Sequence, residues 1–286
     1  MREAPLISVI TITLNDLTGL IYTVNSVEIQ TYSNYEHIVV DGMSSDGTDE
    51  FCAVTKQRLS NFSYISETDR GIYDAMNKGA RMARGDLLVF VNSSDGLTDP
   101  SVLNFVAQRW TDPEEWQWGY GAMRLTDSNR VPFGAIVQAP FDRRKFQLGR
   151  QPVPHAACYV ARDFFLERGG FDESFPGTAA DQEFFVRVCQ THPPAVWIRF
   201  LADFMIGGVS SKETPWSREF LWHQMRVKND VVIADNRHID RVASVALATA
   251  ERLTNAFDKL LRGGADARAV MIRAREEVRK LFMRAF

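Results

Sequence analysis

Over roughly its first hundred residues the chain alternates two hydrophobic periods, and that alternation limits the folds open to it. Four short, apolar, largely β-branched runs read as buried strands: Leu6 to Thr13 (LISVITIT), Glu36 to Asp41 (EHIVVD), Phe62 to Ser66 and Asp86 to Val91 (DLLVFV). Between them, Leu17, Leu20, Ile21, Val24 and Val27 recur at helical spacing. A second helix reaches about Leu59, and Ile72 to Ala83 reads as a third. Strands apolar on both faces that alternate with helices build an α/β fold with a mostly parallel central sheet flanked by helices. Such sheets bind ligands outside the carboxyl ends of their strands. The rule gathers Thr11 and Asn15 after strand one, Asp41 after strand two, Asp69 after strand three and Asp95 after strand four. Carboxylates gathered at one edge repel each other unless cationic groups or a metal intervene.

From about Trp116 the pattern shifts to shorter, mixed strands at Trp116 to Leu125, Val131 to Val137 and His155 to Ala161. Helices around Phe164 and from Ala180 to Gln190 precede a strand near Val196 to Phe200. Beyond Pro215 the chain reads as helical, with a break at Gly263-Gly264. The expected organisation is one α/β domain over residues 1–210 and a helical region over residues 211–286.

A formal net charge of −3 argues against bulk electrostatic binding of nucleic acid. The three cysteines, Cys52, Cys158 and Cys189, show no paired ligand spacing, which disfavours disulfides and zinc and suits a reducing cytoplasm. Arg2 and Glu3 lead straight into a strand, with no signal peptide, and no stretch nears the roughly 20 apolar residues of a membrane span. The expected location is the cytoplasm, or the inner face of the plasma membrane as a peripheral protein.

Four segments occur in order: ISVITITLN, VVDGMSSDGT, DRGIYDAMNKG (Asp69 to Gly79) and RMARGDLLVFVNSSDG. Together they resemble the family 2 glycosyltransferases of GT-A fold, with the likeness running from about Ile7 to Arg187. The resemblance is to the bacterial branch that decorates polysaccharides and glycolipids. It implies an inverting transfer of a single sugar from a nucleotide-diphosphate sugar to a hydroxyl of a saccharide or glycolipid acceptor. UDP is the commonest nucleotide of the family, with GDP and dTDP as alternatives. A divalent metal, Mn2+ or Mg2+, is implied for the diphosphate, since a hard cation with oxygen ligands also stabilises the departing nucleotide.

The same resemblance suggests roles for individual residues. Asp95 matches the last aspartate of the metal-binding signature, although NSSD carries Ser93 and Ser94 where a second acid is common. Metal binding without nucleotide should therefore be weak, and Ser94 could contact the ribose instead. Asp41 matches the carboxylate that recognises the base, while locally a turn or helix cap fits equally well. Thr11 and Asn15 are expected to line the same pocket, or Asn15 to start its helix. Asp69 and Arg70 open the GIYDAMNKG element, and Arg70, Lys78 or Arg81 could each offset diphosphate charge; the sequence does not rank them. Asp181, in TAADQEFFVRV, matches the general base, with Glu183 its nearest rival. His155 either helps to bind metal or phosphate or only supports the site.

Two other readings stand beside the transferase: a catalytically impaired nucleotide-sugar or carbohydrate-binding protein, and a nucleotidyltransferase. The latter usually shows a Gly-rich loop after the first strand, where this chain has TITLND. Neither the Gln-x-x-Arg-Trp motif nor the membrane spans of processive polymerases are present. In the last segment Met271, Ala274, Val278, Leu281, Phe282 and Ala285 form an apolar stripe among arginines and lysines. That stripe suits an anionic membrane surface, packing on the domain, or a homodimer.

Overall fold

In the computed structural model the described residues are 3–111, 116–207, 214–233 and 236–262. They divide into two compact units, Met1–Phe146 with Gln151–Gly208, and Gln147–Arg150 with Val209–Phe286.

In the first unit β1 (Ile7–Thr13) lies between β2 (Tyr35–Asp41) and β4 (Leu87–Phe90), and β3 (Phe62–Ser66) flanks β2, all parallel. Parallel neighbours need crossovers, supplied here by α1 (Leu17–Glu28), α2 (Thr48–Arg58) and α3 (Ile72–Met82). Ile10 pairs with Ile38 on one side and Phe90 on the other, so the carboxyl ends finish at a common edge. After β5 (Gly96–Leu97) and α4 (Val102–Thr111), the chain adds β6 (Trp118–Thr126) and β7 (Pro132–Ile136). Next come α5 (Arg143–Gln147), β8 (Cys158–Ala161), α6 (Arg162–Glu167), α7 (Ala180–Val188) and β9 (Ala195–Met205). The sheet order is β3-β2-β1-β4-β8-β6-β9-β5, with β7 paired to β6.

Ile7 and Val9 from β1 and Leu87 and Val89 from β4 are fully buried against Val27 of α1 and Leu103 and Val106 of α4. Removing each such side chain from water contributes about 1.5–3 kcal/mol, which is why these runs form the sheet centre.

Two local expectations change. His155 is not in a strand: residues His155–Ala157 form a 3-10 turn after Pro154, and β8 begins only at Cys158. Because β8 runs antiparallel to β4, that turn arrives at the carboxyl edge. The last strand also outlasts its apolar run, reaching Met205. Asp203 sits in it by pairing Arg124 of β6 through two bonds of 2.6 and 2.7 Å.

In the second unit, Thr214 caps α8 (Pro215–Lys228) by accepting the Ser217 amide at 3.1 Å. α8 packs on α9 (Arg237–Arg262) around a buried ion pair, Arg226 Nε to Asp240 Oδ1 at 2.7 Å. His223 (2.5 Å) and the Ile233 amide (2.9 Å) also meet the Asp240 carboxylate, while Arg226 donates to Ser244 Oγ at 2.5 Å and to the Gln147 carbonyl at 2.9 Å. Burial pushes the Asp240 carboxyl upward, but these donors outweigh it and hold it below the usual range. The apolar stripe from Met271 to Ala285 lies outside the described residues. Among the described residues no helix is long and apolar enough to cross a membrane.

Asp240→Ala leaves a buried guanidinium uncompensated and should destabilise the helical unit by about 3–5 kcal/mol. Urea unfolding followed by helical circular dichroism checks this, and a loss below about 1 kcal/mol would mark the pair as dispensable.

Candidate active site

The loops leaving β1 and β2 are fastened to each other. Asn15, in the left-handed region at φ 51°, donates its amide to Ser44 Oγ at 2.7 Å, and its side-chain oxygen accepts the Ser45 amide at 2.9 Å. Asp46 accepts the Leu17 amide at 2.8 Å, binding the start of α1 to the second loop. Asp41 is fully buried and accepts the Ser44 amide (3.1 Å), Ser44 Oγ (2.5 Å) and Ser66 Oγ (2.6 Å). Its carboxylate therefore closes a turn and ties β2 to β3; contact with a base would require one of these hydroxyls to let go. Thr11 is wholly buried, donating to the Val91 carbonyl at 2.7 Å and lying 2.9 Å from His37 Nε2, so its side chain braces β1 rather than lining a surface.

The DRGIYDAMNKG element starts α3 at this edge. Asp69 accepts the Gly71 amide at 2.9 Å, and Gly71 at φ 125° adopts a backbone that side-chain-bearing residues rarely take. The three cations the sequence left unranked now differ. Lys78 is held by the Thr68 carbonyl (2.8 Å), Glu67 (2.9 Å) and Asp74 (3.4 Å), with 17% of its side chain exposed. Arg81 belongs to the last turn of α3, about 15 Å along the helix from its start. Arg70 stands at the start, 78% exposed, bridging Asp74 at 3.2 Å and Glu173 at 2.5 Å. Asn77 staples the helix to the Phe171 segment, donating to its carbonyl at 2.8 Å and accepting its amide at 3.0 Å.

At the end of β4, Ser94 takes φ 74° and donates its hydroxyl to Asp16 Oδ2 at 2.8 Å. Asp95 turns inward: it is 5% exposed, its Oδ1 accepts the Met205 amide at 3.1 Å, and its carbonyl accepts Thr23 Oγ1 at 2.6 Å. Arg130 donates to the Ser94 carbonyl while stacking on the Tyr22 ring, 4.1 Å from the ring centre. Burial pushes the Asp95 carboxyl up to about 8, against the opposing pull of the Met205 amide and Arg130.

Across the edge, Asp181 lies in the first turn of α7, 8% exposed. Its Oδ1 accepts the Tyr73 hydroxyl and its Oδ2 accepts Gln182 Nε2, both at 2.9 Å. Tyr73 and Gln182 were not singled out by sequence; the available signal was an aromatic with a polar tip in the first turn of α3. Glu183, the rival base, is fully buried and pairs with Arg187 at 3.3 Å, so it faces the core. His155 stacks on Phe90 (5.6 Å), and burial keeps its imidazole below its ordinary value. Three buried polar atoms of this edge find no hydrogen-bond partner among the described residues: His155 Nε2, Asn92 Oδ1 and Thr13 Oγ1. Unmet groups of this kind cost about 1–3 kcal/mol each, and they lie where β1 and β4 end and β8 begins.

The sequence model of "Glycosyl transferase family 2" matches residues 8–158. The chain belongs to that family. An uncharacterised glycosyltransferase of Mycobacterium tuberculosis is 41% identical over 219 residues, 75% of this chain and 80% of that protein. A PGL/p-HBAD biosynthesis glycosyltransferase of Mycobacterium bovis is 30% identical over 194 residues, 68% of this chain and 73% of its own length. Among solved structures, Staphylococcus aureus TarS residues 1–349 in complex with UDP-GlcNAc superposes with a TM-score of 0.62 at 16% identity, covering 94% of this chain and 79% of that one. The mannosyltransferase PcManGT of Pyrobaculum calidifontis, in complex with GDP-Man and Mn2+, gives 0.59 at 15% identity, over 95% and 80%. The fold of this glycosyltransferase is thus GT-A: a mixed, mostly parallel sheet flanked by helices.

The residues that the resemblance assigned to a divalent metal are packed and bonded within the protein. Asp95 is 5% exposed, and its Oδ1 accepts the Met205 amide. Ser94, beside it, has its hydroxyl engaged with Asp16. His155 offers an unmet Nε2 but is packed between Phe90 and Phe171, and among the described residues no three His, Cys, Asp or Glu side chains group around a cation position. No step below passes through a metal.

The burial of Asp95 has a thermodynamic consequence. Its folded value near 8 exceeds the unfolded value near 3.8, so the native state holds the extra proton and loses stability as pH rises between the two. Asp95→Asn removes that loss. Melting temperatures should show the variant gaining on the parent from pH 5 to pH 9 by the equivalent of a few kcal/mol at most; a difference that ignores pH would contradict the assignment.

Proposed function

We propose that this glycosyltransferase is an inverting enzyme that moves one sugar per encounter from a nucleotide-diphosphate sugar to a hydroxyl of a saccharide or glycolipid acceptor. The observation that carries the reading is the Asp181 carboxylate, fixed by a donor on each oxygen at the edge where His155, Asn92 and Thr13 leave polar atoms unmet. TarS with UDP-GlcNAc and PcManGT with GDP-Man support a nucleotide-sugar donor for the same fold. The name of the mycobacterial relative, PGL/p-HBAD biosynthesis, supports a glycolipid among the acceptors.

Inversion needs a base on the face of the sugar opposite the leaving nucleotide. In this reading Asp181 takes the proton of the acceptor hydroxyl as its oxygen bonds to the anomeric carbon, while the bond from that carbon to the diphosphate oxygen breaks and its electrons leave with the nucleotide. Arg70 is the exposed cation at this edge that can follow the diphosphate charge, because Lys78 is committed to Thr68, Glu67 and Asp74. Asn15 holds the loops after β1 and β2 against each other and Asp41 ties β2 to β3, which together would form the floor on which a nucleotide rests.

The absence of an acid at Ser94 favours a second reading, a nucleotide-sugar binder without turnover. A panel of UDP-, GDP- and dTDP-sugars separates the two through nucleotide release with a saccharide acceptor. Release from at least one donor is expected, and none from a well-folded protein would leave only the binder. Asp181→Asn should retain donor binding by calorimetry yet lose about 10²–10⁴-fold in transfer rate. Transfer at the parent rate would remove Asp181 from the role of base.

A further inference from the structure

We propose that Tyr73 is a positioning residue for transfer, holding the Asp181 carboxylate aimed at the acceptor. The inference rests on the reading of Asp181 as the base. Tyr73 stands in the first turn of α3, 7% exposed, with its ring 5.5 Å from that of Phe171. From there its hydroxyl reaches across the edge to Asp181 Oδ1 at 2.9 Å. The second oxygen accepts Gln182 Nε2 at 2.9 Å, and Gln182 is itself clamped by both polar groups of Val153 at 3.0 Å. An aromatic side chain with two torsions, both fixed by packing, loses little freedom in holding a partner in one direction.

The charge around Asp181 makes these two donors decisive. Titratable groups that face it include Tyr73 from α3, His155 from the 3-10 turn and Cys158 from β8. Burial holds the imidazole below its ordinary value and pushes the Cys158 thiol well above its own, so both are neutral near pH 7. Burial, with the charge of Asp181 added, raises the Tyr73 phenol, so it stays an O–H donor throughout the working range. On α7 itself Glu183 is paired with Arg187. None of these neighbours lends Asp181 a positive charge. A hydrogen bond donated to a carboxylate favours its charged state, and Tyr73 and Gln182 each donate one here. The GIYDAMNKG element thereby gains a chemical purpose: Gly71 admits the backbone turn, and Tyr73, two residues on, carries the donor to the base.

The test is the pH dependence of kcat/KM for the full chain, with whichever nucleotide sugar of the panel turns over. Tyr73→Phe removes one donor and nothing else, so the acid limb of the profile should move up by about one pH unit. The deficit would then be about tenfold on that limb and would shrink at higher pH, with the donor KM unchanged. A loss that is equal at every pH, or no loss, overturns the inference, because a merely structural role would not move the limb. Should Tyr73→Phe melt too low to assay, 3-fluorotyrosine placed at position 73 keeps the shape and strengthens the donor. The limb should then move down, and an unmoved limb again overturns the inference. Asp181→Asn separates the two claims. If it transfers at the parent rate, the reading of the base fails; if it is inactive while the limb ignores position 73, only the role of Tyr73 fails.

Discussion

A carboxylate taken out of water must be met by donors, and donors near a sheet edge come from different loops. Asp41, Asp95 and Asp181 each meet this demand, and in doing so they hold the carboxyl edge together. Asp41 draws Ser44 and Ser66 onto itself, which fixes the second loop to the third strand. Asp95 takes the amide of Met205, joining the end of the parallel half to the last strand of the mixed half. Asp181 takes Tyr73 and Gln182, joining α3 to α7 across residues 108 positions apart in the chain. Hydrophobic burial forms the sheet; these bonds decide how the loops above it are arranged.

The three acids differ in what meets them, and so in what they can do. Asp95 has one amide donor and deep burial, and burial wins: the group is pushed toward neutrality. Asp41 has three donors from the loop after its strand and from the adjoining strand β3, which suits a closed turn. Asp181 has one donor on each oxygen, from side chains packed by other elements, and stands in the first turn of a helix, where a negative charge is favoured. Of the three, only the last has both oxygens held by side chains of neighbouring elements at a helix start, the fixed aim that the proposed proton abstraction requires.

The parallel half of the fold was legible because four apolar runs and three intervening helices follow simple periods. The position of a residue at the carboxyl edge was legible too, since it follows from strand direction alone. Side-chain direction was not. Asp95 sits at the end of β4 as its motif suggests, but Ser94 at φ 74° swings the chain so that the next side chain enters the interior. The backbone of a turn is set by what closes over it, here Arg130 from the β6–β7 hairpin and Met205 from β9, both far along the sequence. Tyr73 was hidden for a similar reason: a helical aromatic reads as core, and its hydroxyl finds meaning only when α7 is folded against α3. The extension of β9 through Asp203 needed Arg124 as partner, a pairing no local pattern announces.

The locking of the Ser94–Asp95 turn also shapes where donor charge can be met. That turn is held by Asp16 through the Ser94 hydroxyl, by Arg130 through its carbonyl, and by Thr23 and Met205 through Asp95. A turn bound on so many sides cannot reorganise cheaply to present an oxygen to a cation. Lys78 is bound almost as firmly inside its triangle of acceptors. Arg70, by contrast, is largely in water, and an exposed ion pair of this kind contributes only about 0–1 kcal/mol. In the proposed reading a diphosphate bearing about two negative charges competes for the Arg70 guanidinium with Glu173 and the buried Asp74. That exposed guanidinium stands at the start of α3, one helical turn from Tyr73.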